Sequence, residues 1–377
     1  MPRLISRLIF LFVIIVLVIL TRNATVNHYP SPNRVRSAET FNIYGTTDAL
    51  LFQEFIKEFK KLHPDIPVRY KELESGEIFH GVIHDNLKPP PDLIISSAVD
   101  LQIKLANDGY AADYFSPYLQ QLPDWAQWHN EVIGFTFEPA VIAYNRKLVG
   151  SIDVPTTHLG LAKLIEENKQ HLYGKIGTYN IATSGVGYVL ATQDEFISSN
   201  FWRLTNALAS GKAKLSASSP EVLDALEKGD IIIAYNLLGS YAFARALTNP
   251  DIVVVIPSDY ALVIARSALI PRHSTEPEIA KEFIDFLLSP DGQKIAAGKT
   301  GFGAIMPGIE GQFSISSIMK NTHGTVQPIA MTPALLVNYD EQKRGQFLRV
   351  WLDIINGNTT TGDTLNSRET TFDGGKK

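Results

Sequence analysis

The stretch that decides the fold is "DIIIAYNLLGSYAFARA", residues 230–246, in which an apolar run ends in a polar turn. The run has the composition of a buried strand, and the residues after the turn have that of a helix. Asn236, Gly239, Ser240 and Tyr241 lie in or beside the turn, and three of them have side chains that hydrogen-bond. A strand, a polar turn and a helix in succession are typical of α/β folds. These four residues are predicted either to contact a ligand or to cap the helix.

Two more copies of this unit lie within residues 40–109. In each copy an apolar strand ends in a hydroxyl-bearing turn, and an amphipathic helix follows. Repetition of the unit predicts an α/β chain with largely parallel sheets. Open α/β sheets place ligands at the ends of their strands, so these turns are candidates for ligand contact as well as for simple helix caps. The residues are Tyr44, Thr46 and Thr47 in the first turn and Ser96 and Ser97 in the second.

A fourth turn, "TSGVG" at residues 183–187, lies between a strand-like run and a helical one. Serine and glycine at the start of a helix leave backbone N–H groups open toward an anion. The sequence therefore predicts an anion contact here, with an ordinary N-cap as the alternative. The residues assigned to this contact are Thr183, Ser184, Gly185 and Gly187.

Two strand-like segments, residues 135–149 and 251–270, flank a middle block with its own strands and helices. They predict that the chain crosses from one lobe to a second and then returns. Glu138 lies in the first crossing, where it is predicted either to accept ligand hydroxyls or to hold the hinge. The predicted lobes are residues 40–138 with 262–356 for lobe one and residues 139–261 for lobe two.

The two ends of the chain differ in composition from this body. Arg3 and Arg7 precede an unbroken apolar run at residues 8–20, the pattern of an export signal or signal-anchor. Residues 1–39 are therefore predicted to be a signal or membrane anchor followed by a polar tether. Residues 357–377 contain almost nothing apolar and are predicted to be a disordered tail.

Composition excludes several classes of function. The chain has 377 residues, a formal net charge of -5 and no long basic run, so it lacks the electrostatic footprint of a nucleic-acid-binding protein. It contains no cysteine, which excludes disulfides, thiolate nucleophiles and cysteine-ligated zinc. No cofactor motif was found, and no cofactor is predicted.

Five stretches in this order resemble the extracellular solute-binding proteins of ABC importers, over residues 40–353. They read "DLIISSAVDLQIKLANDGYA", "GFTFEPAVIAYN", "GTYNIATSGVGYVLATQD", "AYNLLGSYAFARA" and "EFIDFLLSPDGQ". The chain resembles the branch of this family that contains ferric-ion binders, sugar-phosphate binders and phosphoglycerate-transport regulatory proteins. The stretch "TPALLVNYDEQKRGQFLRVW" is similar to the regulatory subgroup. The resemblance implies the two-lobed periplasmic binding protein fold of type II, with two hinge-crossing segments. It also implies a periplasmic protein without catalysis.

The resemblance implies a small solute as ligand and a membrane protein as partner. The polar turns predict a small anionic organic solute, such as a phosphorylated metabolite or a carboxylate. The expected partner is an ABC permease, or a membrane sensor kinase if the protein is a sensing accessory like the regulatory subgroup. Ferric binders of the branch carry two adjacent tyrosines where this chain has Leu237 and Leu238. Ferric ion is therefore the weaker alternative, with Tyr235 and Tyr241 as its only nearby phenols.

Catalytic and metal-binding motifs are weak. "ATSGVG" is not a nucleophile elbow, because Ala182 stands where the G-x-S-x-G motif requires glycine. Glu77, His80 and His84 share one helical face at a spacing compatible with a metal, but a solvated surface explains the same pattern. We predict neither an enzyme nor a metal site.

Overall fold

The computed structural model describes residues 40–150, 152–298 and 300–358. The predicted signal or anchor at residues 1–39 and the predicted tail from residue 359 onward lie outside the described residues. Among the helices that are described, none is long and apolar enough to cross a membrane.

Strands and helices alternate along most of the described chain. The strands are β1 Phe41–Gly45, β2 Val68–Glu72, β3 Leu93–Ser96, β4 Ala111–Ala112, β5 Gln127–Trp128, β6 Val132–Gly134, β7 Glu138–Asn145, β8 Ile176–Tyr179, β9 Lys214–Ser216, β10 Ile233–Leu238, β11 Ile252–Val255, β12 Tyr260–Ile264, β13 Ser267–Pro271 and β14 Thr325–Pro328. The α-helices are α1 Ala49–Leu62, α2 Ser75–Ile83, α3 Val99–Asn107, α4 Arg146–Val149, α5 His158–Glu167, α6 Lys169–Leu172, α7 Gly185–Ile197, α8 Phe201–Ser210, α9 Ser219–Lys228, α10 Gly239–Thr248, α11 Pro277–Leu288, α12 Pro290–Ala297, α13 Ile315–Asn321 and α14 Glu341–Asn356. Short 3-10 helices lie at Leu119–Gln121, Asp124–Ala126 and Pro333–Tyr339.

The strands form two sheets, which confirms the predicted two-lobed α/β fold. In the first sheet the order is β2, β1, β3, β13, β6, β5, and β4 pairs with β13. In the second sheet the order is β14, β12, β7, β10, β8, β9, and β11 pairs with β7. The chain passes between the sheets after β6 and again after β12, inside the two segments predicted to cross, and a third time between β13 and β14.

The prediction of largely parallel sheets is wrong for the strands nearest the crossings. Strand β13 pairs antiparallel with β3, β4 and β6, and β7 pairs antiparallel with β10, β11 and β12. Both β7 and β13 enter their sheets directly from the other lobe, without a crossover helix to reverse the direction of the chain. Parallel pairing is retained between β1, β2 and β3 and between β8, β9 and β10.

The C-terminal segment makes contacts that the sequence did not predict. Strand β14 pairs in parallel with β12 of the second sheet, although the sequence assigned residues 262–356 to lobe one. Trp351 and Ile355 of α14 are buried in the core of the second lobe. We therefore propose that residues 325–356 belong to lobe two.

Helices cover the sheets with apolar faces, and several of them begin at a residue whose side chain caps the first turn. Helix α1 buries Phe52, Phe55 and Phe59 at helical spacing, and the Asp48 side chain accepts hydrogen bonds from the N–H groups of the first turn. The three phenylalanines pack against aromatic rings of neighbouring elements, among them Phe283 of α11. This packing fixes the first turn of α1 at the carboxyl end of β1.

Candidate functional site

Six turns, three from each sheet, converge on a cavity of about 390 Å³. They follow β1, β2 and β3 in the first sheet and β8, β9 and β10 in the second. Because the strands within each of these groups are parallel, their carboxyl ends point to the same edge of the sheet. The cavity therefore lies at the edge where open α/β sheets bind ligands.

Five of the residues predicted from the sequence line this cavity. Thr46 and Ser97 lie on the first lobe, and the Ser97 N–H donates to the Thr46 hydroxyl at 3.3 Å, which ties two turns together. Ser184, Gly185 and Tyr241 line the cavity from the second lobe.

The first turn of α7 presents open backbone donors to the cavity. The Ser184 hydroxyl accepts the Gly187 N–H at 3.2 Å, so Ser184 is an N-cap as well as a cavity residue. The N–H groups of Gly185 and Val186 have no hydrogen-bond partner within the described chain, and both residues line the cavity. Unpaired amides at a helix N-terminus are donors available to a bound group.

The two lobes touch across the cavity at two places. A Cβ atom placed on Gly185 would lie 2.1 Å from the Ser75 Oγ atom and 3.1 Å from the Ala98 Cβ atom, both on the opposite lobe. The Tyr241 hydroxyl accepts the Asp48 N–H at 3.2 Å, again from one lobe to the other. Gly185 therefore permits close contact between lobes, a role that the sequence did not indicate.

Three predicted site residues belong to a buried hinge cluster instead of the cavity wall. Glu138 is fully buried and pairs with the fully buried Arg266, with Nε to Oε1 at 3.1 Å and Nη2 to Oε2 at 3.1 Å. The Thr136 and Ser240 hydroxyls also donate to Glu138, and Arg266 Nη1 donates to the Thr47 hydroxyl at 2.6 Å. Both Glu138 oxygens are thus occupied, which favours the hinge over ligand contact.

Three further predicted residues point away from the cavity. The Tyr44 hydroxyl donates to a backbone carbonyl at 2.7 Å, and the tyrosine is buried. The Ser96 hydroxyl accepts the N–H of Ala98, the residue before α3, at 3.1 Å. Gly239 packs so closely on β7 that a Cβ atom would lie 2.8 Å from a backbone oxygen. These positions shape the turns without reaching the cavity.

Asn236 lies in a bulge of β10 and faces the core of the second lobe. Its φ of 61° is left-handed, and its Nδ2 donates to Asp194 at 2.8 Å. The Tyr235 and Tyr260 hydroxyls donate to the same buried carboxylate at 3.1 and 3.0 Å. Burial raises the pKa of Tyr235 and of Asp194. Tyr235 is therefore held away from Tyr241, and the structure does not bring the two phenols together.

Thr183 lines a second cavity of about 430 Å³, on the other side of the contact between Ser75 and Gly185. His80 also lines this second cavity, whereas Glu77 lines the first. The His80 and His84 rings are parallel with centroids 6.2 Å apart. In the described ranges no group of three or more His, Asp or Glu side chains is placed to hold a metal ion.

Two of the six turns were missed by the sequence analysis. The turn between β2 and α2 and its flanking residues contribute Glu72, Glu74 and Glu77 to the first cavity, and the turn between β9 and α9 with the first turn of α9 contributes Ser218 and Glu221. Both turns follow a strand and precede a helix, so the rule applied to the other four turns would have found them.

Every charged side chain that lines the first cavity, within the described residues, is a carboxylate. Desolvation, followed by the charges of Glu221, Glu77 and Glu72, raises the pKa of Glu74 above its ordinary value. Glu74 and Glu221 belong to opposite lobes, so negative charge is concentrated where the lobes face each other.

Two α/β lobes joined by crossing segments, with polar turns facing across a cavity, define a protein that encloses a small ligand between its lobes. The family model of bacterial extracellular solute-binding proteins matches residues 45–294. The chain belongs to this family, whose members bind solutes outside the cytoplasm and deliver them to ABC permeases. Membership implies a periplasmic location.

Solved structures share the fold. The chain is similar to the substrate binding protein of an ABC transporter from Agrobacterium tumefaciens, with 31% identity, a TM-score of 0.80, and coverage of 85% of this chain and 96% of that one. Iron-bound HitA from Pseudomonas aeruginosa matches at 18% identity and a TM-score of 0.66, over 84% and 99% of the two chains. AfuA from Actinobacillus pleuropneumoniae, with fructose-6-phosphate bound, matches at 19% identity and a TM-score of 0.64, over 84% of this chain and 98% of that one. A search of curated proteins gives no match.

Proposed function

We propose that this protein captures a small polar organic solute in the cavity between its lobes and passes it to an ABC permease. The convergence of six turns on one cavity of about 390 Å³ carries the proposal. That volume lies within the range of small-molecule sites. Hydroxyls, open amides and carboxylates line it, and these groups recognise polar compounds.

We propose binding without catalysis. Two of the cavity serines already use their hydroxyls in hydrogen bonds within the protein. The Ser184 hydroxyl caps α7, and the Ser219 hydroxyl is hydrogen-bonded to the Tyr179 hydroxyl. No histidine lines this cavity among the described residues, so none of its serines has an imidazole base beside it in the cavity wall.

The anionic solute predicted from the sequence, a phosphorylated metabolite or a carboxylate, is a second candidate. The open N–H groups of Gly185 and Val186 favour it, because a helix N-terminus stabilises negative charge. Ferric ion is a weaker candidate, because the phenols of Tyr235 and Tyr241 do not converge.

A thermal-shift screen of the purified full chain tests the capture of a solute, because a ligand stabilises the folded state by mass action. The screen contains organic cations, polyols, carboxylates, phosphorylated metabolites and ferric ion. Ala217→Trp puts a large side chain into the cavity and should abolish stabilisation by any compound that binds there. Ala182→Trp is the matched control, because Ala182 is exposed and lines only the second cavity. Stabilisation that survives Ala217→Trp would contradict binding at this site.

Export and partner need separate tests. We propose that residues 8–20 direct export and tether the protein to the inner membrane. A reporter fused after Lys377 should then behave as translocated, and a cytoplasmic signal would contradict this. Affinity purification from membranes distinguishes the partners: permease subunits support an importer, whereas a sensor kinase supports the alternative of a sensing accessory.

A further inference from the structure

The charged side chains that line the cavity indicate which chemical class of solute it binds. Asp48, Glu72, Glu74, Glu77 and Glu221 all line it, and no lysine, arginine or histidine does so among the described residues. None of these carboxylates forms an ion pair with a side chain in the described ranges. The cavity is therefore lined by carboxylates from both lobes, with no cationic side chain among its described lining residues.

Four of these carboxylates are fixed in orientation by the backbone. Each accepts a backbone N–H with one oxygen and has no hydrogen-bond partner in the described chain for the other. The bonds are Leu50 N–H to Asp48 at 2.8 Å, Ala49 N–H to Glu72 at 2.9 Å, Glu74 N–H to Glu77 at 3.1 Å and Ala217 N–H to Glu221 at 2.9 Å. The free oxygens are acceptors already held in place for a donor group.

Contact between the lobes concentrates this charge. Glu74 of the first lobe and Glu221 of the second line the same cavity, and like charges brought together raise each other's free energy. A neutral polyol would donate hydrogen bonds without neutralising the pair, and an anion would add to the repulsion. A cation would convert the repulsion into attraction on both sides of the cleft.

We infer that the solute carries a positively charged ammonium or guanidinium group, held between Glu74 and Glu221 at the junction of the lobes. This inference rests on the proposed function, since it names the chemical class of the solute captured in the same cavity. A solute that also carries a carboxylate could place it on the amides of Gly185 and Val186. The inference concerns only the positively charged group, which we expect in every solute that binds in this cavity.

Matched pairs of compounds test the charge directly on the purified full chain. The pairs are putrescine and butane-1,4-diol, butylguanidine and butylurea, and glucosamine and glucose, with glucose 6-phosphate and 3-phosphoglycerate as anions. We expect stabilisation by a cationic member and at least tenfold weaker binding of its neutral partner, because only the cation adds Coulombic attraction and charge-assisted hydrogen bonds to the two carboxylates. Equal or tighter binding by a neutral or anionic compound would overturn the inference and leave the proposed capture intact. No stabilisation by any compound would contradict both.

A second measurement does not depend on the identity of the solute. Glu74→Gln with Glu221→Gln removes the facing charges, and Glu195→Gln is the matched control on an exposed glutamate outside the cavity. We expect the double variant to melt at a higher temperature than the parent at pH 7.5 without solute, and to lose at least tenfold in affinity for the cation. The control should match the parent in both respects. An unchanged melting temperature together with unchanged cation affinity would refute the role of the pair.

Discussion

Replacing Gly185 tests whether the contact between the lobes is part of solute binding. In Gly185→Ala the new Cβ atom would lie 2.1 Å from Ser75 Oγ, 3.1 Å from Ser75 Cβ and 3.1 Å from Ala98 Cβ. Ser75 can rotate its hydroxyl away, but both Cβ contacts remain tight. Overpacking of this kind costs about 1–3 kcal/mol. The cost falls only on the arrangement in which the lobes touch.

The expected result is a loss of affinity without a loss of fold. A penalty of about 1–3 kcal/mol on the closed arrangement weakens solute binding by about 5- to 150-fold. The chain can avoid the tight contact by opening, so the free energy of unfolding without solute should fall by less than the binding free energy does. Gly185→Val should weaken binding further because it adds two methyl groups at the same contact.

Titration calorimetry with the compound identified in the screen measures the affinity, and urea unfolding measures the stability. Gly76→Ala is the matched control, because a Cβ atom there meets nothing within 4 Å. Ser75→Gly combined with Gly185→Ala removes both Ser75 contacts and should restore most of the affinity. Parental affinity in Gly185→Ala and Gly185→Val, or no recovery in the double variant, would refute the closure argument.

Three predictions concern stability. Burial raises the pKa of Asp100 to about 6, so the folded state binds a proton more tightly than the unfolded chain, and stability should rise as the pH falls from 7 toward 4. Asp100→Asn should therefore stabilise the folded protein by up to about 3 kcal/mol at pH 7.5 and should give no stabilisation near pH 4. Urea unfolding at several pH values measures this difference, and a stabilisation that does not depend on pH would contradict the assignment. Asp92 is fully buried and accepts four hydrogen bonds from residues 274–276, so Asp92→Asn should cost about 3 kcal/mol or more in the same assay. Arg266→Met should cost about 3–5 kcal/mol by leaving Glu138 unpaired, and the added change Glu138→Leu should recover most of that loss.

The repeated unit of strand, turn and helix allowed the sequence to predict the architecture, because apolar runs and polar turns are local features. Strand direction near the crossings was not predictable in this way. The direction of β7 and β13 depends on which lobe the chain has just left, and that is a property of the whole fold. The placement of β14 on the second sheet is equally non-local, since it pairs with a strand about sixty residues earlier.

For the site, the sequence identified turns more reliably than individual side chains. Thr46 and Thr47 are adjacent, yet one lines the cavity and the other accepts a hydrogen bond from Arg266. Successive residues in a turn point in different directions, and composition does not say which one faces the ligand. Asn236 shows the same limit, because a bulge in β10 turns its amide toward Asp194.

The hinge cluster explains how turns on separate lobes can act together. Arg266 donates to Thr47, the neighbour of the cavity residue Thr46, while Glu138 accepts from Ser240, the neighbour of the cavity residue Tyr241. The ion pair between them is fully buried, so breaking it during closure would expose an unpaired charge at a cost of several kcal/mol. Closure that keeps the pair intact must bend the backbone around it, in the short links between β6 and β7 and between β12 and β13, and also in the connection from β13 to β14. We therefore expect the pair to act as a fixed pivot, so that closure displaces the turns nearest to it least.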